Sequence, residues 1–107
     1  MKIFITGFNG FLGKSLRTQL SKECEIISLV REKNQIKSVA NILEVKGDLK
    51  NPKDWIGVVK DFSPDYCVNL AWDGLPDYSL KKCSENIKQH LDLLEILVEI
   101  SIKKIVV

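Results

Sequence analysis

A glycine-containing segment between a short apolar strand and an amphipathic helix is the feature that most constrains the fold of this chain. The run from Ile3 to Thr6 predicts a buried strand, and it leads directly into Gly7, Gly10 and Gly13. Leucines then recur at every fourth residue from Leu12 to Leu20, which places them on one helix face. In such a unit, glycines permit the bend, the approach of a phosphate and close helix–strand packing. We interpret the segment as a phosphate-binding turn facing the helix N–H groups, with an ordinary structural turn as the alternative.

A second motif overlaps this turn. Gly13, Lys14 and Ser15 resemble the end of a P-loop, which would predict ATP or GTP with magnesium. That motif requires glycine at position 8, where this chain has Phe8, and Gly7 is one residue too early. Because a P-loop wraps consecutive N–H groups around a phosphate, an inserted residue disrupts the wrap. A P-loop ATP-dependent phosphotransferase is therefore the less favoured alternative.

The rest of the chain alternates apolar strands with helical patterns. Further strands are predicted at residues 25–30, 42–46 and 66–71, and a fifth begins at Ile105. Strands that are apolar throughout and separated by helices favour a parallel sheet covered on both faces. Right-handed crossovers then favour a Rossmann-type, doubly wound α/β fold with five strands in the order 3-2-1-4-5, truncated at strand five. The 107 residues fit one domain, residues 1–107.

Two helices are predicted after the third strand. Asn51 followed by Pro52 indicates a helix start capped by the Asn51 side chain. The apolar face of that helix comprises Trp55, Val58, Val59 and Phe62. The apolar positions of the longer, later helix are Leu80, Cys83, Ile87, Leu91, Leu94 and Val98. His90 lies off that stripe and is expected at the surface, and residues 31–41 predict a loop or a short, poor helix.

Composition narrows the classes of partner. The 16 basic and 14 acidic residues nearly balance, which argues against nucleic acid or an anionic membrane as partner. No apolar run approaches the length of a membrane span or of a signal-peptide core. The three cysteines are odd in number and never sit two apart in the sequence, which argues against a disulfide framework and against a metal site. Cys67 lies in an apolar strand and is interpreted as a core residue. We expect a cytoplasmic protein.

Four short motifs occur in a fixed order along the chain. They are Thr6-Gly7-x-x-Gly10-x-x-Gly13, Gly47-Asp48-Leu49, Asn69-Leu70-Ala71-Trp72, and Asn86 with Leu93-Leu94-Glu95. Together they resemble the extended branch of the short-chain dehydrogenase/reductase superfamily, the NAD-dependent epimerase/dehydratase family. The counterparts in that branch are its glycine turn, its Gly-Asp-Leu, its His-Leu-Ala-Ala segment and its Asn…Leu-Leu-Glu pattern. The chain departs from the third of these by having Asn69 and Trp72.

The resemblance implies an NAD(P)-binding protein and a set of cofactor contacts. The pyrophosphate would be held by Gly7, Asn9, Gly10, Phe11, Leu12 and Gly13. The adenosine half would be held by Arg31, Asp48 and Leu49, and the path to the nicotinamide would be lined by Leu70, Ala71, Trp72 and Asn86. The alternative roles are a turn cap for Asp48, a solvated helix position for Asn86 and a core or substrate-facing position for Trp72. Arg31 after the second strand favours NADP over NAD, although Glu32 follows it.

The resemblance also implies where the chemistry would lie. The superfamily transfers a proton with a serine or threonine after strand five and with a Tyr-x-x-x-Lys helix, and this sequence stops at Val107. We therefore expect the NAD(P)-binding N-terminal portion of a nucleotide-sugar epimerase, dehydratase or reductase, not catalytic alone. Self-association through the truncated sheet edge is a further expectation. Tyr78 and Lys82 have the catalytic spacing but come before strand five, where the loop after strand four leads into the long helix, so we interpret them as a helix start or as substrate-side loop residues. A stand-alone dinucleotide-sensing module without chemistry is the alternative from another class.

Overall fold

The computed structural model describes residues 1–8, 11–20, 23–31, 41–72 and 77–106. The strands are β1 Lys2–Thr6, β2 Glu25–Val30, β3 Ile42–Lys46, β4 Tyr66–Asn69 and β5 Lys104–Val106. The helices are α1 Phe11–Leu20, α2 Ile56–Phe62 and α3 Leu80–Glu99, with a short 3₁₀ turn at Pro52–Asp54. The predicted loop or poor helix at residues 31–41 falls mostly outside the described residues.

The strands form one parallel sheet in the order β3-β2-β1-β4-β5. This confirms the predicted doubly wound topology. The central strand β1 pairs with β2 and with β4, so that Ile5 lies opposite both Ser28 and Val68. Phe4 and Ile5 are fully buried, as expected for a central strand covered on both faces.

The two faces of the sheet carry separate hydrophobic clusters. On one face, Phe4 and Cys67 pack with Val59 of α2 and Leu97 of α3. On the other face, Ile3, Ile5 and Ile26 form a cluster against which Leu16 and Leu20 of α1 pack. Helices leave the sheet in opposite directions after the neighbouring strands β1 and β4. In open α/β sheets, ligands bind at the carboxyl ends of such a strand pair.

The region around β4 and α2 differs in detail from the predictions. Strand β4 ends at Asn69 rather than residue 71, because β1 bends away at Gly7 and Leu70 N–H is the last to reach a β1 carbonyl, that of Thr6. Asn51 makes no side-chain capping hydrogen bond, since Pro52 opens a 3₁₀ turn and α2 begins only at Ile56. Val58, predicted on the buried face of this helix, is 45% exposed.

The prediction for the buried face of α3 was wrong. Four residues of the predicted stripe are exposed: Leu80, Ile87, Leu91 and Val98. The buried residues of α3 are Asn86, Leu93 and Leu97. The helix carries apolar residues over a wide arc, and packing against the sheet selects the side that includes a polar residue. We call Asn86, His90, Leu93 and Leu97 the sheet-facing stripe; the spacing of apolar residues alone does not reveal it.

Candidate functional site

The turn after β1 requires glycine at its first position. Gly7 has a φ of +72°, a backbone conformation that side chains with a Cβ rarely adopt. A Cβ atom at this position would also lie 2.7 Å from the Leu70 carbonyl carbon and 2.7 Å from the Ala71 nitrogen. The turn is therefore packed directly against the backbone that follows β4.

Gly13 fixes the approach of α1 to the same turn. A Cβ atom on Gly13 would overlap the backbone of Phe8, whose side chain is fully buried. The third glycine of a dinucleotide turn permits a close approach of this kind between the helix and the segment that precedes it. Because α1 begins at Phe11, its first-turn N–H groups lie at the edge of the sheet where β1 ends. Asn9 and Gly10 lie outside the described residues, and Phe11 and Leu12 are described only as part of the helix backbone.

Arg31 and the Asp48–Leu49 pair follow β2 and β3 at this same edge. Arg31 is exposed, and Leu49 is partly buried against the cluster around Trp55. An Asp48 carboxylate oxygen accepts a hydrogen bond from the Lys50 backbone N–H at 2.9 Å. Asp48 therefore caps the turn after β3. Its carboxylate has a second oxygen, so the same side chain can cap the turn and also accept a hydrogen bond from a ligand.

The turn after β3 is held by the buried indole of Trp55. Its Nε1 donates to the Asp48 carbonyl oxygen at 2.8 Å. A Cβ atom on Gly47 would lie 2.6 Å from Trp55 Cδ1, so the ring covers the glycine. The Asp48 backbone is thus anchored to the core beneath the site.

Polar side chains from β1, β4 and α3 meet where β4 ends. The Thr6 hydroxyl donates to Asn69 Oδ1, and Asn69 Nδ2 lies 3.0 Å from His90 Nδ1. Thr6 is 1% exposed and Asn69 is 5% exposed. These groups join the three elements directly beneath the glycine turn.

Leu70, Ala71 and Trp72 follow β4, and the backbone of Leu70 and Ala71 lies against Gly7. Leu70 and Ala71 are partly buried, whereas Trp72 is 41% exposed. The Trp72 ring meets the His90 ring edge-on, with centroids 5.7 Å apart. Trp72 is thus an exposed residue rather than a core residue.

Asn86 lies on the sheet-facing stripe one turn before His90. Its side chain is 1% exposed, and Nδ2 donates to the Lys82 carbonyl oxygen at 3.0 Å. The alternative role of a solvated helix position is therefore wrong. Contact between Asn86 and a cofactor stays a prediction.

His90 is the residue of this site that the sequence prediction missed. It is partly buried and bonded to Asn69, not a surface residue. Burial lowers the pKa of its imidazole from the usual 6.5, and the Ala71 backbone partly opposes that shift. The burial of His90 could have been inferred from its spacing to Asn86, Leu93 and Leu97, because these four residues lie on one helix face.

The segment with catalytic spacing, Tyr78 to Lys82, forms the start of α3. Ser79 is the N-cap, and its side chain accepts from the Lys82 backbone N–H at 3.2 Å. Tyr78 is 74% exposed. The interpretation of this segment as a helix start is confirmed.

The described part of the chain shows neither a membrane-spanning helix nor a metal-binding group. It contains no helix both long and apolar enough to cross a membrane. The same residues contain no group of three or more His, Cys, Asp or Glu side chains that could hold a metal ion.

Comparisons with known proteins agree with this arrangement. The sequence profile of the NAD dependent epimerase/dehydratase family matches residues 3–107. A GDP-6-deoxy-D-talose 4-dehydrogenase of Aggregatibacter actinomycetemcomitans is 37% identical over 71 residues, which are 66% of this chain and 21% of that protein.

Solved structures show the same fold. WbmG of Bordetella bronchiseptica, crystallised in complex with NAD, has a TM-score of 0.80 and 18% identity, covering 98% of this chain and 36% of that one. UDP-glucose 4-epimerase of Thermotoga maritima, solved with UDP-glucose, has a TM-score of 0.77 and 20% identity, covering 98% of this chain and 36% of that one. The chain thus spans about a fifth to a third of the length of these relatives.

Proposed function

Because the chain belongs to the NAD-dependent epimerase/dehydratase family, we propose that it binds a nicotinamide dinucleotide across the carboxyl ends of β1 and β4. In a protein of the length of these relatives, such a dinucleotide site would serve a reaction on a nucleotide-linked sugar. The sugar-nucleotide dehydrogenase and epimerase among the relatives support this substrate class.

The contact between Gly7 and the backbone of Leu70 and Ala71 carries the proposal. It brings the glycine turn, the start of α1 and the segment after β4 to one place. A diphosphate at this point would meet N–H groups of the turn and the positive end of α1. Close packing of Gly13 on Phe8 favours a dinucleotide turn over a loop wrapped around a triphosphate.

We propose the following order of the predicted contacts along an extended ligand. The pyrophosphate would lie at the turn, on Gly7, Asn9, Gly10, Phe11, Leu12 and Gly13. The adenosine would extend toward β2 and β3, where Arg31, Asp48 and Leu49 follow the strands. The nicotinamide would extend along Leu70, Ala71 and Trp72. Asn86 is buried in α3 one turn before His90, and we propose that it lines the path to the nicotinamide.

The cofactor preference rests on Arg31. An exposed guanidinium after β2 suits the 2′-phosphate of NADP, whereas NAD sites carry an acidic residue at this point. We therefore propose NADP over NAD. WbmG, a relative of low identity, was crystallised with NAD.

Hydride and proton transfer need more than the dinucleotide site. In the superfamily, the proton-transferring serine or threonine and the Tyr-x-x-x-Lys helix follow strand five. We propose that the 107 residues bind dinucleotide without turning over a sugar substrate.

Calorimetric titration of the purified chain with NADPH, NADH and Mg-ATP tests the function. We expect binding of NADPH and NADH, weaker or absent binding of Mg-ATP, and weaker dinucleotide binding in Gly7→Ala. Gly57→Ala is the matched control, because a Cβ atom on Gly57 meets no atom within 4 Å. Tight binding of Mg-ATP without binding of either dinucleotide would reverse the proposal in favour of a phosphotransferase.

A further inference from the structure

A chain of hydrogen bonds links α3 to the residue that precedes the glycine turn. Thr6 donates its hydroxyl to Asn69 Oδ1, and the Asn69 amide nitrogen lies 3.0 Å from His90 Nδ1. Thr6 and Asn69 are both buried, so water does not substitute for these partners.

The chemistry of the groups fixes which atom donates and which accepts in each of these hydrogen bonds. An amide oxygen that accepts from Thr6 leaves the Asn69 NH₂ group facing His90, and an NH₂ group only donates. His90 Nδ1 must therefore accept and carry no proton, which places the ring proton on Nε2. Nε2 is buried and has no hydrogen-bond partner among the residues that the structure describes.

We propose that His90 is a positioning residue for dinucleotide binding. As the neutral Nε2–H tautomer, it holds the Asn69 amide, which holds the Thr6 hydroxyl beneath the glycine turn. The proposal rests on the proposed function, because it assigns to His90 a part in forming that dinucleotide site.

Thr6 connects these hydrogen bonds to the glycine turn. Its carbonyl oxygen accepts from the Leu70 N–H at 3.0 Å, and its side chain bonds to Asn69. The next residue, Gly7, is packed against Leu70 and Ala71 with no space for a Cβ atom. A shift of Asn69 would therefore act on Thr6 and on Leu70 together, and His90, the partner of Asn69, also contacts the Trp72 ring.

The tautomer is measurable without any ligand. His90 is the only histidine in the chain, so long-range ¹H–¹⁵N correlation spectra of uniformly labelled protein report its ring alone. We expect Nδ1 to give the signal of an unprotonated nitrogen and Nε2 that of a protonated one at about pH 8, above the usual histidine pKa. A proton on Nδ1 would mean that the Asn69 amide is turned around, and it would overturn the proposal.

Two variants of His90 separate positioning from simple packing. In His90→Asn, Oδ1 occupies the place of Nδ1 and accepts from Asn69, whereas His90→Leu has a similar volume without an acceptor. We expect NADPH and NADH to bind His90→Leu about five- to tenfold more weakly, the equivalent of one hydrogen bond, and His90→Asn within about twofold of the native chain. Equal affinities of the two variants would overturn the positioning role.

A second pair of variants acts at the other end of the chain of bonds. Thr6→Val removes the hydroxyl and keeps the shape, and Thr6→Ser keeps the hydroxyl. If His90→Leu fails to fold by circular dichroism, a weaker dinucleotide affinity of Thr6→Val than of Thr6→Ser supports the proposal, and equal affinities overturn it. If the native chain binds neither NADPH nor NADH, the proposed function fails, while the tautomer spectrum still decides the direction of the hydrogen bonds.

Discussion

The backbone of Leu70 lies against Gly7 so closely that a Cβ atom on Gly7 would be 2.7 Å from the Leu70 carbonyl carbon. The contact joins the ends of β1 and β4, the neighbouring strands after which the helices leave for opposite faces of the sheet. The lack of a Cβ atom at Gly7 therefore permits both the bend of the turn and the close approach of the two strand ends.

Gly7→Ala should destabilise the chain. The positive φ costs a residue with a Cβ about 1–2 kcal/mol, and the overlap with Leu70 and Ala71 adds to that cost. We expect a lower free energy of unfolding in urea and weaker binding of NADPH.

Gly57→Ala is the control for that experiment. Gly57 lies in α2 and has open space around its Cβ position. Alanine there should raise the free energy of unfolding by about 0.5–1 kcal/mol and leave NADPH binding unchanged. Equal effects of the two substitutions would contradict the packing of the glycine turn.

The fold was predictable from the sequence because each strand carries its own signal. Residues 26–30 are apolar except for Ser28, and residues 42–46 contain Ile42, Leu43 and Val45; both strands lie where predicted. The buried side of α3 was not predictable from apolar spacing, because the helix offers two candidate stripes and only contact with the sheet distinguishes them. His90 was missed for the same reason, since its role depends on Asn69, which is distant in sequence.

Leu93 and Leu91 should differ sharply in their effect on stability. Leu93 is 2% exposed in the cluster with Trp55 and Leu97, whereas Leu91 is 57% exposed on the same helix. We expect Leu93→Ala to cost about 2–5 kcal/mol and Leu91→Ala no more than about 0.5 kcal/mol, measured by urea unfolding. A larger cost for Leu91→Ala would mean that the predicted stripe of α3 is the buried one after all.

His90 should make the stability of the chain depend on pH. Its folded-state pKa is lowered by burial from the usual 6.5, so the unfolded chain takes up the proton first as the pH falls. Stability is therefore retained above the usual pKa and decreases as the pH falls below it. The described contacts of the ring, namely Asn69, Trp72 and the Ala71 backbone, carry no charge.

Urea unfolding between about pH 5 and pH 8 measures this effect. In His90→Asn, which does not titrate, we expect the decrease in stability through this range to be smaller than in the native chain. An identical pH dependence in the two proteins would assign the decrease to other groups.

Arg31 should set the preference between the two dinucleotides. If it contacts a 2′-phosphate, Arg31→Ala weakens NADPH binding by about tenfold or more, since a charge-assisted hydrogen bond is lost, and leaves NADH binding within about twofold. Calorimetry with both ligands measures the ratio. Lys46→Ala is the control, because Lys46 is another exposed basic residue at the end of a neighbouring strand. A parallel loss of NADPH and NADH affinity in Arg31→Ala would contradict a role in cofactor choice.

Cys67 should be protected from alkylation as long as the chain is folded. It lies in β4 with no exposed surface, and burial raises the pKa of its thiol to about 12. Because the thiolate is the reactive form, iodoacetamide at about pH 8 should modify Cys67 only after unfolding. Cys83 is partly exposed at the start of α3 and provides the internal control. Peptide mass spectrometry should find Cys83 modified first, and equally rapid modification of Cys67 would show that β4 opens in the native chain.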